Sequence, residues 1–450
     1  MKYEPCMQKV CPSVIACFTA NNAVRHYILV ITRRVMKVNI RFWFLVCLLG
    51  IAWSHNGRSW AQSAETETKT LVVMPGDTWV ALAWRFGVDA EQLLALNGRI
   101  NRMQEPAIGS VIRVPAREAR PGALVRTLGM GWWQTAVSQG LPLWTIALTN
   151  GMRHPFMPAL YQPLFLPGGT MPPRDLPIGF RQLTVSHAPA HPGEAVAIRG
   201  ERENEAAVQM WLGSQAMTVG ENGRFLVGLA ATGAFLGTAA PELAIQPAHA
   251  PLWVQPWQFT DKEWTFQQIT LTGSAAQIDQ ESIRQERERL FAIWETKTAV
   301  PHWHTPFQLP ITNYLEISSY YGARRSYNGG PYATYHEGVD FSAYGGTPVY
   351  APATGQVVVA EFLYVRGGTV IIDHGLGVYS GMYHMSSITV AAGDNITTGQ
   401  QVGTVGTTGL STGNHLHWDL LVNGTWVDGL AWLEQDMACW ILAGLNEPCR

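Results

Sequence analysis

The sequence predicts a multidomain, mainly β chain, and three observations carry this. Its 450 residues leave room for about three domains. Short runs of alternating apolar and polar residues, punctuated by Gly, Pro and Asn-Gly, recur through the second half. One compact stretch near residue 71 reads strand–helix–helix–strand. Charged residues make up only 14% and tryptophans number 18, which suits a stable folded binding protein better than a disordered chain. The net charge of -2 offers no basic excess for nucleic acid.

Residues 1–61 are expected to precede the mature protein. Met36 opens a recognisable leader: Lys37 and Arg41 are basic, Phe42 to Trp53 is apolar, and Ser59-Trp60-Ala61 offers small residues for cleavage. The apolar run is short for a spanning helix. Translation is therefore expected to start at Met36 and the mature chain near Gln62, in an exported protein. The alternative is an uncleaved N-terminal membrane anchor. Cysteine usage agrees with export. Four of the six cysteines lie before the cleavage point, leaving Cys439 and Cys449 as candidates for a disulfide in an oxidising compartment; whether they bond stays open.

Residues 69–116 form the βααβ unit. Leu71-Val72-Val73 and Val111-Ile112-Arg113-Val114-Pro115 are its strands. Pro75-Gly76-Asp77-Thr78 turns into the first helix, with Asp77 or Thr78 as its cap. Trp79, Leu82, Ala83 and Phe86 keep helical spacing, and Val88 to Leu94 begins a second helix that ends at Asn97-Gly98. The Pro-Gly-Asp-Thr start and Leu-Asn-Gly end resemble a LysM module. That resemblance implies binding to N-acetylglucosamine-containing glycan near Gly76, Asp77, Thr78 and the Asn97 loop. Residues 123–168 resemble a degenerate second copy. Ala147-Leu148-Thr149-Asn150-Gly151 echoes Ala95-Leu96-Asn97-Gly98, and Leu164-Phe165-Leu166-Pro167 echoes the closing strand, but the Pro-Gly-Asp-Thr start is missing.

Residues 180–273 read as an Ig-like β-sandwich, from Leu183-Thr184-Val185 and Ala195-Val196-Ala197-Ile198 to the alternating run Trp264–Leu271. Residues 277–311 form a helical linker. Its helix, Asp279 to Thr298, carries the apolar stripe Ile283, Leu290, Ile293 and Trp294 and a charged, solvated face. Residues 434–450 are a C-terminal tail.

The chemistry gathers in residues 312–433. His415-Leu416-His417 is an HxH pair whose imidazoles share one face of a strand. His336 and Asp340 are four apart, and His384 lies between the two pairs. A catalytic zinc needs about three protein ligands and an open position. His, Asp and His residues in this pattern supply candidate ligands and leave further histidines for proton handling. The H-E-x-x-H pattern is absent. His302 and His304 also form an HxH pair, but flanked by prolines and without an acidic partner. His374, beside Gly375, is read as a turn-stabilising residue.

This stretch resembles the M23 family of zinc metallopeptidases, the lysostaphin or LytM type. The resemblance runs through Ile317-Ser318-Ser319-Tyr320-Tyr321-Gly322-Ala323-Arg324-Arg325, His336 to Asp340, Thr347-Pro348-Val349-Tyr350-Ala351-Pro352, His384, Gly399-Gln400 and the closing His415-Leu416-His417-Trp418. It implies an antiparallel β-sheet peptidase domain binding one Zn2+ through His336, Asp340 and His417. It implies that His384 and His415 serve the reaction, one taking a proton from water and the other stabilising the oxyanion. Which does which stays open. The expected function is an exported endopeptidase of bacterial peptidoglycan, held to glycan by LysM. The alternative is a non-hydrolytic activator or scaffold of other wall hydrolases. The intact ligand set favours the enzyme. The bond cut stays open; the loops around Tyr327–Gly330 and Tyr364–Gly367 are expected to shape that choice.

Overall fold

The computed structural model describes residues 67–99, 104–126, 136–137, 140–152, 159–168, 172–236, 240–270 and 279–450. The expected start at Met36 and cleavage near Gln62 lie outside them. None of the described helices is long and apolar enough to cross a membrane.

In the first module, the strand Thr68–Val72 pairs antiparallel with Val111–Pro115. Helices Trp79–Phe86 and Ala90–Leu96 lie between them in sequence. Thr78 caps the first helix, its hydroxyl accepting the Ala81 N–H at 3.2 Å. Trp79, Leu82, Phe86, Leu93, Ile112 and Val114 form the core. Asn97 ties helix to strand: its amide donates to the Leu93 and Arg113 carbonyls and accepts the Arg113 N–H. Asn150 does the same with Ile146 and Phe165. There the helix Leu143–Thr149 sits between the paired strands Gly122–Arg126 and Pro163–Pro167.

Of the expected glycan positions, the Gly76–Thr78 turn is not open, whereas the Asn97 loop is accessible. Asp77 is 0% exposed and Thr78 6%. The Gly76 N–H donates to Gln255 Oε1 at 2.9 Å, and the Gly76 carbonyl accepts the Asp175 N–H at 2.8 Å. Asp77 pairs with Arg85 and with Arg174. A local motif specifies the turn, but the surface covering it lies up to 179 residues away in sequence.

The middle domain is two four-stranded antiparallel sheets, one built on Ala195–Arg202 and Phe225–Ala231, the other on Val208–Leu212 and Glu242–Pro247. Leu183, Val196, Ile198, Leu226, Leu243 and Trp257 fill the space between them. The alternating run after Trp264 goes elsewhere: Phe266–Ile269 pairs parallel with Arg324–Tyr327. Period-two alternation specifies a half-buried strand without naming its sheet.

The carboxy-terminal sheet has eight strands, with Val339–Ser342, His415–Val422 and Val378–Met385 adjacent and antiparallel near its middle. Against it packs the helix Gln280–Trp294, capped by Asp279, which accepts the Glu281 and Ser282 N–H groups. Leu290 and Trp294 join the sheet's core, and Trp294 meets Trp426 edge-on at 5.5 Å. The helix's charges are not all solvated, as the sequence suggested. Glu286, Arg287 and Arg289 pair with Arg366, Glu337 and Glu361 of the sheet domain. The tail is a helix too, Met437–Gly444. Its Cys439 is bonded to Cys449, with Cα atoms 5.2 Å apart. Its Ile441 and Leu442 share one core with Ala197 and Leu229 of the sandwich and Leu376 and Leu420 of the sheet.

Candidate metal centre

Asp340 and His417 are direct partners across the Val339–Ser342 and His415–Val422 strands. Directly opposed side chains on antiparallel strands share a face. The register therefore brings carboxylate and imidazole together, with Asp340 Oδ1 2.7 Å from His417 Nδ1. His336 lies just before the first of these strands. Its Nε2 is 3.0 Å from both Asp340 Oδ1 and His417 Nδ1. Gly338 permits the approach: a Cβ there would lie 2.7 Å from His417 Nε2. The three ligand atoms fall within 4.8 Å of one another.

The remaining atoms of these residues are accounted for. His336 Nδ1 faces the Ser319 hydroxyl at 2.9 Å and the Tyr320 carbonyl at 3.1 Å, which leaves Nε2 for the centre. Gln267, from the Phe266–Ile269 strand, exchanges hydrogen bonds with Ser319. Arg325 donates to Gln267 and lies 3.5 Å from Asp340 Oδ2. Burial opposes ionisation of Asp340, but hydrogen bonds from His336 and His417 hold it well below the usual carboxylate range. Burial pushes His336 down, and His417 down to about 3. The donors are thus a carboxylate and two neutral imidazoles, the forms that ligate zinc.

His415 and His384 border this triad. His415 Nδ1–H donates to the Gly413 carbonyl at 2.8 Å, and its Nε2 lies 3.9 Å from Asp340 Oδ1. His384 Nδ1–H donates to the Thr408 carbonyl at 2.8 Å, and its ring centroid is 4.7 Å from that of His415. Burial, then the neighbouring His415, pushes His384 down to about 4. All five histidine and aspartate side chains singled out in the sequence are therefore brought to one place. His302 and His304 are not. The His302 N–H donates to the His374 carbonyl, and His374 itself is buried, facing the Thr354 carbonyl and the Ser380 hydroxyl.

Sequence reasoning gave no role to Ser319, Gln267 or Glu286, and placed Arg366 only in a loop expected to shape the choice of bond. Glu286 left one trace: it falls on the apolar stripe between Ile283 and Leu290, where a carboxylate needs a partner.

Residues 334–429 match the model of peptidase family M23, and residues 71–115 match the LysM domain model. Peptidoglycan DD-endopeptidase ShyA of Vibrio cholerae is 36% identical over 27% of this chain and 28% of its own length. DD-carboxypeptidase/endopeptidase Mpg of Neisseria meningitidis is 40% identical over 20% of each. The chain thus spans under a third of these relatives. The solved structure of the antimicrobial peptidase lysostaphin from Staphylococcus simulans is 32% identical, covering 30% of this chain and 54% of that one at a TM-score of 0.26. On its own residues and on the two domain models, the chain carries a LysM domain and, around its His336–Asp340–His417 cluster, a domain of peptidase family M23.

Proposed function

We propose that this chain is an exported zinc metalloendopeptidase that opens peptide cross-links of bacterial peptidoglycan. The observation that carries the reading is the meeting of His336 Nε2, Asp340 Oδ1 and His417 Nδ1 within 3.0 Å of each other. Two imidazoles and one carboxylate fit a catalytic zinc, which takes three protein ligands and keeps a fourth position open. When bound there, zinc supplies Lewis acidity toward a carbonyl and brings the pKa of water to about 7.

The chain's own groups do the rest. His384 and His415 are each fixed through Nδ1–H to a backbone carbonyl, which leaves Nε2 of each as the working nitrogen. One takes the proton of the attacking water. The other, carrying a second proton on Nε2 as the imidazolium, donates a hydrogen bond to the scissile carbonyl oxygen as charge builds on it. The names of the relatives support a DD cross-link as the bond cut. The LysM match supports contact with glycan, through surfaces other than the covered Gly76–Thr78 turn. Export is supported by the leader-like Met36–Ala61 segment and by the Cys439–Cys449 bond.

The deciding experiment compares zinc content and muropeptide release from purified peptidoglycan for the chain from Gln62 onward and its His417→Ala variant. About one zinc per chain, with release abolished in the variant, is the expected result. A wild-type chain that holds zinc but releases nothing would overturn the hydrolase reading.

A further inference from the structure

His384 has a feature that its chemistry does not require. Its backbone sits in the left-handed region at φ 62, although it is not glycine. Such a conformation is unfavourable for a residue with a Cβ and persists only where its surroundings over-determine it. Three hydrogen bonds hold it, one of them from the Thr408 N–H to the His384 carbonyl at 3.4 Å. The His384 N–H donates to the Arg366 carbonyl at 2.9 Å, and its ring donates to the Thr408 carbonyl. Both carbonyls belong to loops that are themselves laced together. The Leu410 N–H donates to the Val365 carbonyl, and the Gly368 N–H donates to the Thr408 hydroxyl.

The Val365–Arg366 loop has its own anchor outside the domain. Glu286, on the helix Gln280–Trp294, accepts the Val365 N–H at 2.7 Å through Oε2 and pairs with the Arg366 guanidinium at 3.0 Å through Oε1. Glu286 is buried, and this one loop engages both of its oxygens. The helix is pinned in turn by Leu290 and Trp294 in the sheet's core. A continuous chain of contacts therefore runs from Glu286 through Val365 and Arg366 to the backbone of His384. It starts 48 residues ahead of the family-matched segment, which opens at residue 334.

We propose that Glu286 is a positioning residue: by clamping the Val365–Arg366 loop, it sets the left-handed backbone of His384 and so aims that imidazole at the metal centre. The catalytic half of this proposal rests on the reading of His384 as a working group of a hydrolase. The structural half does not.

The test uses the chain from Gln62 onward with Glu286→Ala, Glu286→Gln and His384→Ala, alone and combined. The first readout is amide hydrogen exchange. The His384 N–H is expected to exchange faster in Glu286→Ala while the Ile371 amide in the sheet core keeps its protection. Glu286→Gln, whose side-chain oxygen can still accept the Val365 N–H, is expected to fall between. The second readout is kinetic. Glu286→Ala should lower kcat by about ten- to a hundredfold, the scale of a misplaced catalytic group, with KM and zinc content unchanged. In the His384→Ala background the same change should cost nothing further. Unchanged His384 protection would overturn the proposal, and so would a kcat loss that multiplies in the His384→Ala background. Should the wild-type chain cleave nothing, the hydrolase reading fails and the exchange readout alone decides the role of Glu286. Should Glu286→Ala not fold, Glu286→Gln carries the comparison, and wild-type exchange at His384 in that variant is the overturning result for the charge on Glu286.

Discussion

Asp340 and His417 face each other across neighbouring antiparallel strands, with Oδ1 and Nδ1 2.7 Å apart. Neither residue reaches the centre through a flexible loop. Removing either leaves the opposing strand in place but breaks the donor set. Asp340→Ala and His417→Ala are expected to fold, to lose zinc, and to release no muropeptides. Metal analysis beside circular dichroism checks this; full zinc occupancy in His417→Ala would sink the ligand assignment.

His415 differs from His417 although the two share a face. Its nearest approach to Asp340 Oδ1 is 3.9 Å, and its Nδ1 is committed to the Gly413 carbonyl. His415→Ala is expected to keep its zinc and to lose about a hundredfold or more in kcat, the usual scale of acid–base catalysis. Loss of the metal instead would exchange the roles of the two histidines.

The Ser319 hydroxyl and the Gln267 amide behind it orient His336 from the side away from the centre. Such supporting groups typically change metal affinity by about ten- to a hundredfold. Ser319→Ala is expected at the lower end, because the Tyr320 carbonyl still faces His336 Nδ1 at 3.1 Å. Competition against a graded zinc chelator measures it. Affinity equal to wild type in both Ser319→Ala and Gln267→Ala would remove these residues from the account.

His374 adds to acid sensitivity, beside His384 and His417, whose imidazoles burial also pushes down. Burial pushes the His374 imidazole from the ordinary 6.5 down to about 4, because it has no room for charge in the sheet core. Between those values the unfolded chain takes up a proton that the folded chain refuses. Its contribution is complete above pH 6.5 and is lost as the pH falls toward 4, a drop on the order of 3 kcal/mol. Thermal unfolding should therefore give a lower Tm at about pH 4.5 than at about pH 7.5, and His374→Asn should flatten that slope. An unchanged slope in the variant would assign the acid sensitivity to other groups.

The parts of the centre that were legible share one cause. Asp340, His415 and His417 lie on regular strands, where a period of two fixes which side chains share a face. The first βααβ unit was legible for the same reason, through helical spacing and its turn residues. What stayed hidden depends on meetings between distant segments. Gln255 covers Gly76 from 179 residues away, and Glu286 reaches Val365 across 79. The strand Phe266–Ile269 shows its alternation plainly, yet nothing local directs it to Arg324–Tyr327 rather than to the sandwich. The left-handed backbone of His384 had no glycine to announce it.

The core shared by the sandwich, the sheet and the tail helix sets a limit on modularity. Leu229, Leu420 and Ile441 are buried together in one core that all three parts build. The stretch that matches the family model is therefore smaller than the body it packs into. Residues 334–429 transplanted alone would carry every candidate ligand and yet present bare apolar flanks where Leu229, Trp294 and Ile441 had been. In this chain the neighbours are not cargo attached to a self-sufficient domain. They are part of its walls.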